Sequence, residues 1–296
     1  MSFSPNRPGK KRYRYRIANA PRFIAVIMLF LLVLTAIFVI AAKSEDEPSQ
    51  KGAVVVTPIV YPTPDPDPTP PPIDIPEGKV MEPVLVVIDA GHGGEDGGTI
   101  SPYKEGFYEK DITLSMAEKV AEYLKEKGID VILTRDGDYR FSASNREDLL
   151  TRANIANENK ASLFVSIHVN AYDLKYAGAA AVNGMEVYYM EKDGVYTEFT
   201  DERFAQLLND EIVKANGIKS NGVKQNNYSV LRNTQMPAVL IETAYITNKE
   251  DHARLASEEF RSNTARGIVQ GIELALKEID AFEYNGDMYV FKEAKE

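Results

Sequence analysis

The 296-residue chain contains no cysteine. That absence excludes disulfide staples, cysteine-ligated metal sites and thiol nucleophiles together. Histidine is nearly as scarce, with three residues: His92, His168 and His252. Any metal centre must therefore be assembled from these imidazoles and from Asp or Glu carboxylates. Positive charge is thin outside one place. Residues 1–22 hold seven of the 34 Lys and Arg residues and no acid, and residues 23–42 carry no charge at all. The remainder has 27 bases against 44 acids, a net charge of −17. An acidic surface of that kind argues against nucleic-acid binding, which needs a basic patch on the folded domain.

What is present falls into successive segments. Residues 23–42 are mostly apolar and, at 20 residues, match the length that crosses a bilayer core. A cleaved signal peptide has a shorter apolar core, ~7–15 residues, ending in a small-x-small site. Ile40, Ala41 and Ala42 make a poor one. The run therefore reads as an uncleaved transmembrane signal anchor. The basic segment 1–22 before it, and Lys43, Glu45, Asp46 and Glu47 after it, orient the N-terminus to the cytoplasm. The expected location is a single-pass cell-membrane protein with everything beyond residue 42 on the outer, cell-wall side. Residues 43–79 form a linker in which nine prolines from Pro58 to Pro76 alternate largely with Thr and Asp. Such a composition favours solvated polyproline II and no packed core. At ~3.1 Å per residue it could reach on the order of 100 Å from the membrane.

A folded domain is expected over 80–280, with 281–296 as a short tail. Residues 84–88, 131–133, 163–167 and 239–241 are continuous apolar runs that read as strands buried on both faces, and 185–190 reads as another strand. Ile112, Met116, Val120 and Leu124 step by four along a helix that Gly128 closes, and Ile268, Ile272, Ala275 and Ile279 stripe the last helix. The fold class is α/β: one open, mostly parallel or mixed sheet of about six strands with helices on both faces, preceded by the transmembrane helix.

The first strand runs into Asp89-Ala90-Gly91-His92-Gly93-Gly94-Glu95-Asp96-Gly97-Gly98. Five glycines in ten residues require a sharply bent backbone or a close approach to a ligand. The Lys-Ser/Thr ending of a phosphate-binding loop is missing, and two acids in the loop would repel phosphate. His92 is better placed as a metal ligand or catalytic base. His168, in Ser166-Ile167-His168-Val169-Asn170, also lies near the C-terminal end of a strand, the edge where open α/β sheets bind ligands. Glu242 follows Val239-Leu240-Ile241, where a buried carboxylate must be paired, metal-bound or protonated. Partnership with a buried arginine is its plain structural alternative. Glu109 opens the first helix, where favourable interaction with the helix dipole is sufficient reason for an acid. His252, among charges at a helix start, reads as a solvated surface residue.

These segments resemble, in order, the catalytic domain of zinc-dependent N-acetylmuramoyl-L-alanine amidases. The resemblance spans 84–279 and rests on Gly91-His92-Gly93-Gly94, Glu109-Lys110-Asp111-Ile112-Thr113-Leu114, Leu133-Thr134-Arg135, residues 152–157, Ser166-Ile167-His168-Val169-Asn170-Ala171, Val230-Leu231-Arg232, Pro237 to Thr243, and Asn248. Ala90, where many members have proline, and Ala244-Tyr245, in place of a common Gly-Phe, are departures. The resemblance implies that His92, Glu109 and His168 hold Zn²⁺ and that Glu242 is the catalytic carboxylate; Asn170 and Arg232 are candidates for positioning substrate or the tetrahedral intermediate. It leaves His252 without a role. It implies hydrolysis of the amide between N-acetylmuramic acid and the L-alanine of the stem peptide, with peptidoglycan as partner; no activator protein is indicated by the sequence. The intervals 171–185 and 190–204 are too short for the helical plug that blocks some members. Two other readings stand beside this one: a zinc peptidase cutting within the stem peptide, and a non-catalytic wall-binding module.

Overall fold

The protein is described by a computed structural model covering residues 72–196 and 198–294. The basic segment, the expected transmembrane anchor at 23–42 and residues 43–71 of the linker lie outside the described residues. Among the described residues no helix is long and apolar enough to cross a membrane.

The apolar runs form the strands of a six-stranded mixed sheet. In chain order they are β2 (Leu85–Ala90), β3 (Asp130–Leu133), β4 (Leu163–Asn170), β5 (Met185–Tyr189), β6 (Ser220–Gln225) and β7 (Ala238–Tyr245). The spatial order is β3-β2-β4-β7-β5-β6. The first four of these run parallel, β5 turns antiparallel against β7, and β6 runs parallel to β5. Consecutive residues Val86, Val87 and Ile88 are all completely buried, so both faces of the sheet are covered, as continuous apolar strands require.

The helices are α1 (Glu109–Glu126), α2 (Asn145–Glu158), α3 (Asp201–Asn216), the short α4 (Ser229–Asn233), α5 (Lys249–Ala256) and α6 (Glu258–Glu278). The expected stripe of α1 is its buried face: Ile112, Met116, Val120 and Leu124 are at most 3% exposed. Ser144, Thr200, Asn248 and Ser257 cap α2, α3, α5 and α6 by accepting from backbone N–H groups of the first turn. Against α3, α6 presents Gly267 and Gly271. A Cβ on Gly267 would stand 2.6 Å from the Ile212 Cα, so the two helices meet backbone to backbone.

Two parts differ from the sequence expectation. The segment expected as a tail is folded over its described residues: β8 (Phe282–Tyr284) and β9 (Asp287–Glu293) form a hairpin, and residues 289–293 of β9 pair with β1 (Lys79–Pro83) in a separate three-stranded antiparallel sheet. The turn signal is present in the sequence. Asn285 and Gly286 both adopt positive φ, 57° and 87°, as a two-residue hairpin loop requires. The strand β6 was also not marked by an apolar run. Its sequence, Ser-Asn-Gly-Val-Lys-Gln, is half-buried and polar because it is the edge of the sheet.

Candidate active site

The C-terminal halves of β2, β4 and β7 and the start of α1 converge on one cluster. One ligand atom from each of His92, Glu109 and His168 lies within 4.8 Å of the others. His92 Nε2 is 3.2 Å and His168 Nδ1 3.0 Å from Glu109 Oε1. The imidazoles stand edge to face with centroids 4.9 Å apart. Glu109 is 2% exposed and its remaining acceptor capacity is fully engaged. Thr99 N–H and Thr99 Oγ1 donate to Oε2 at 2.8 and 3.0 Å, and Val169 N–H donates to Oε1 at 2.9 Å. The helix-dipole reading is therefore insufficient for Glu109, because its carboxylate is aimed at two imidazoles.

Two imidazole nitrogens and a carboxylate oxygen are a donor set suited to zinc, and three protein ligands leave the open position of a catalytic rather than a structural site. Asp96 Oδ2 lies 2.9 Å from His92 Nδ1, fixing the ring so that Nε2 faces the cluster. With no ion bound, burial opposes a charge on His92, but Glu109 and Asp96 outweigh it and raise its pKa to about 9. Burial likewise opposes a charge on Glu109, and the two imidazoles overcome it and hold the carboxyl ionised far below its usual range. The site retains a proton where a cation would bind, so metal uptake displaces protons.

The cluster is built by close approach and by a buried polar network. A Cβ on Gly91 would lie 2.5 Å from the His168 ring, so only glycine lets the first loop pass beneath that ligand. His92 itself is at φ 63°, a left-handed conformation that strains a residue with a Cβ. Two arginines hold it there. Arg135 donates to the carbonyls of Ala90 and Gly91, and Arg152 donates to those of Ala90 and His92. Arg152 also pairs with Asp89 and Asp148 at 2.9 Å each, and Asp89 in turn accepts from Thr134 and Ser166. The motif residues Thr134, Arg135, Arg152 and Ser166 thus act through the loop that carries His92. Gly91→Ala should leave the fold intact and weaken metal binding by about 10–100-fold, the effect of disturbing a ligand's support. A zinc titration of the metal-free protein measures this, and unchanged affinity would show that His168 can give way.

Glu242 is opposite His168 in the β4–β7 register, and cross-strand partners share a face of the sheet. It is not at the strand's end: β7 continues to Tyr245. Its Oε2 is shut off from solvent and has no hydrogen-bond partner among the described residues, where no arginine pairs with it either, so the paired-arginine alternative does not hold there. Burial pushes its pKa up to about 7; His168 and His92 pull downward, Glu109 and Glu186 upward. Glu186 was missed in the sequence, although a glutamate inside the β5 run was the available signal. It lies directly opposite Glu242 in the β5–β7 register and is 4% exposed. Burial raises its pKa, but Lys224 at 2.6 Å, Tyr188 and Tyr245 outweigh that and hold it below the usual carboxylate range. The departure at Tyr245 therefore reaches the site, since its hydroxyl donates to Glu186 at 3.0 Å.

Asn170 lines the same cavity as the three ligands and Glu242, and its amide donates to Glu186 at 3.2 Å. Arg232 is not brought there: it is exposed near the end of α4 and bonded to Asn227. His252 is not a solvated surface residue. Its ring packs on Tyr103 and Phe107, centroids 5.3 and 5.0 Å away, and its buried Nε2 lacks a partner among the described residues. Burial, with the Lys104 charge nearby, lowers its pKa.

Residues 86–274 match the family described as N-acetylmuramoyl-L-alanine amidase. The chain belongs to that family. It is 36% identical over 201 residues to the uncharacterized protein YqiI of Bacillus subtilis, covering 67% of this chain and 89% of that one. It is 33% identical over 196 residues to the N-acetylmuramoyl-L-alanine amidase LytC of the same organism, covering 65% of this chain but only 36% of LytC. The catalytic domain of CwlV, an N-acetylmuramoyl-L-alanine amidase from Bacillus (Paenibacillus) polymyxa var. colistinus, superposes with TM-score 0.57 at 36% identity. That match covers 66% of this chain and 98% of the CwlV domain.

Proposed function

We propose that this amidase hydrolyses the amide joining N-acetylmuramic acid to the L-alanine of the peptidoglycan stem, with Zn²⁺ held by His92, Glu109 and His168. The observation that carries this reading is Glu242: a half-buried glutamate whose Oε2 is shut off from solvent and unpartnered among the described residues, beside the three ligands, titrating near neutrality. A group poised at about pH 7 is suited to take a proton and return it within one turnover. When bound, the ion supplies Lewis-acid activation of water and of the scissile carbonyl. Glu242 accepts the proton of the attacking water and delivers it to the departing L-alanine nitrogen. Asn170, fixed by Glu186, presents its side chain to the same cavity and orients the substrate. The ligand imidazoles keep 24% and 17% of their surface open, so substrate reaches the centre directly. The activity belongs on the cell-wall face of the membrane, carried there by the anchor at 23–42 and the proline-rich linker.

Full-length protein incubated with purified peptidoglycan should release stem peptides bearing a free L-alanine N-terminus, detected by mass spectrometry. Chelation should abolish the release and zinc should restore it. Fragments cut within the stem would instead support the peptidase reading, and no cleavage by zinc-loaded protein the wall-binding one.

A further inference from the structure

A second cavity, of about 170 Å³, opens on the other flank of the same two histidines. Its walls include His92, His168 and Asp96 on the metal side and Arg140, Asn145 and Leu149 on the side of α2. The acids around it are already used. Asp89 serves Arg152, Thr134 and Ser166; Asp148 serves Arg152 and the Phe141 N–H. Both Asp96 oxygens are engaged, by His92 Nδ1 and the Gly98 N–H. Arg152 spends its guanidinium on Asp89, Asp148 and two carbonyls.

Arg140 differs. Its guanidinium bonds the neutral Asn145 Oδ1 at 2.7 Å, its buried Nε has no partner, and it forms no ion pair among the described residues. Because Asn145 accepts through Oδ1, its amide N–H groups remain as donors. The donors left unpaired at this end, on Arg140 and Asn145, carry a positive charge that forms no ion pair among the described residues although it acts on Asp96, and their complement is an anionic acceptor. In the uncleaved unit the lactyl carboxyl of the sugar is tied up in the amide, so the free carboxylates lie on the peptide side.

We propose that Arg140 and Asn145 form a carboxylate subsite for the stem peptide, engaging the free α-carboxylate of its second residue. The peptide then lies along the start of α2, and the glycan occupies the cavity of about 400 Å³ lined by Asn170 and Ala171. The proposal rests on the amidase reading above.

The test uses zinc-loaded full-length protein and two muramoyl dipeptides, ending in D-glutamate or in D-isoglutamine, which differ only in whether that carboxylate is free or amidated. Wild type should cleave the free acid with kcat/KM about tenfold higher, the discrimination of one charge-assisted hydrogen bond. Arg140→Gln should erase the difference through KM on the acid, leaving kcat and the amidated compound nearly unchanged, and Arg140→Lys should retain part of it. Equal use of both compounds by wild type, or a preference that survives in Arg140→Gln, overturns the subsite. If wild type cleaves neither compound nor purified peptidoglycan, the amidase reading fails instead. Calorimetric binding of L-alanyl-D-glutamate against L-alanyl-D-isoglutamine to wild type and Arg140→Gln then decides the subsite separately.

Discussion

Glu242→Gln should lose about 10²–10⁴-fold in kcat, the range for removing a general acid–base group, and should at the same time make the metal-free protein more stable at neutral to mildly alkaline pH. The second effect follows from the proton affinity of the buried carboxyl, raised by burial from 4.5 to about 7. The folded protein holds that proton between the two values while the unfolded chain has released it. Stability therefore falls as pH rises through this window, and the full penalty is present above pH 7. A shift of that size corresponds to about 3 kcal/mol. Glutamine has no charge to desolvate, so the variant should lack this decline. Denaturant unfolding of both proteins with chelator present, from pH 4 to pH 8.5, measures it. Near-normal turnover would remove Glu242 from the mechanism. Parallel stability curves would show that its carboxyl is ordinary. Unchanged zinc stoichiometry in the variant separates both outcomes from loss of the metal.

The second large effect is expected at Arg152, which is 1% exposed and touches no atom that reacts. Arg152→Ala leaves Asp89 and Asp148 buried without their cation, frees the carbonyl of His92 and leaves that of Ala90 to Arg135 alone. Removing one partner of a buried pair costs about 3–5 kcal/mol, a large share of the stability of an ordinary domain. Thermal unfolding should shift down by many degrees, and zinc affinity should fall even under conditions where the variant folds, because His92 loses the contacts that hold its left-handed backbone. Arg152→Met keeps the stem but not the charge, and should fall with alanine if pairing matters more than packing. A stable variant with normal metal affinity would show that Arg135 alone supports the loop.

Both predictions concern residues whose importance was only partly visible in sequence. The apolar runs of β2, β4 and β7 and the α1 stripe were legible because a strand covered on both faces must be apolar throughout, and a packed helix must repeat near 3.6 residues. The ligand histidines were legible because scarcity left few combinations and both follow such runs. Glu109 was not, on physical grounds alone, since any acid suits a helix start. The half-buried edge β6 and the terminal hairpin carried weaker signals, a polar edge and an Asn-Gly turn. His252 was misplaced because its neighbours in sequence are charged while its neighbours in space, Tyr103 and Phe107, are aromatic.

By itself the sequence determined the α/β class, the order of the main elements, the metal donors available to a chain without cysteine, and the segments that match the amidase family. Those properties follow from periodicity, composition and motifs, which are local along the chain. Only the tertiary structure decided that Glu242 stands unpartnered between His168 and Glu186, that two arginines hold the His92 loop, and that Arg140 keeps a free buried donor beside the metal site. Each of these depends on strand register and on side chains separated by tens of residues. A one-residue change of register would turn Glu242 to the opposite face of the sheet, and no single stretch of sequence records which register is adopted.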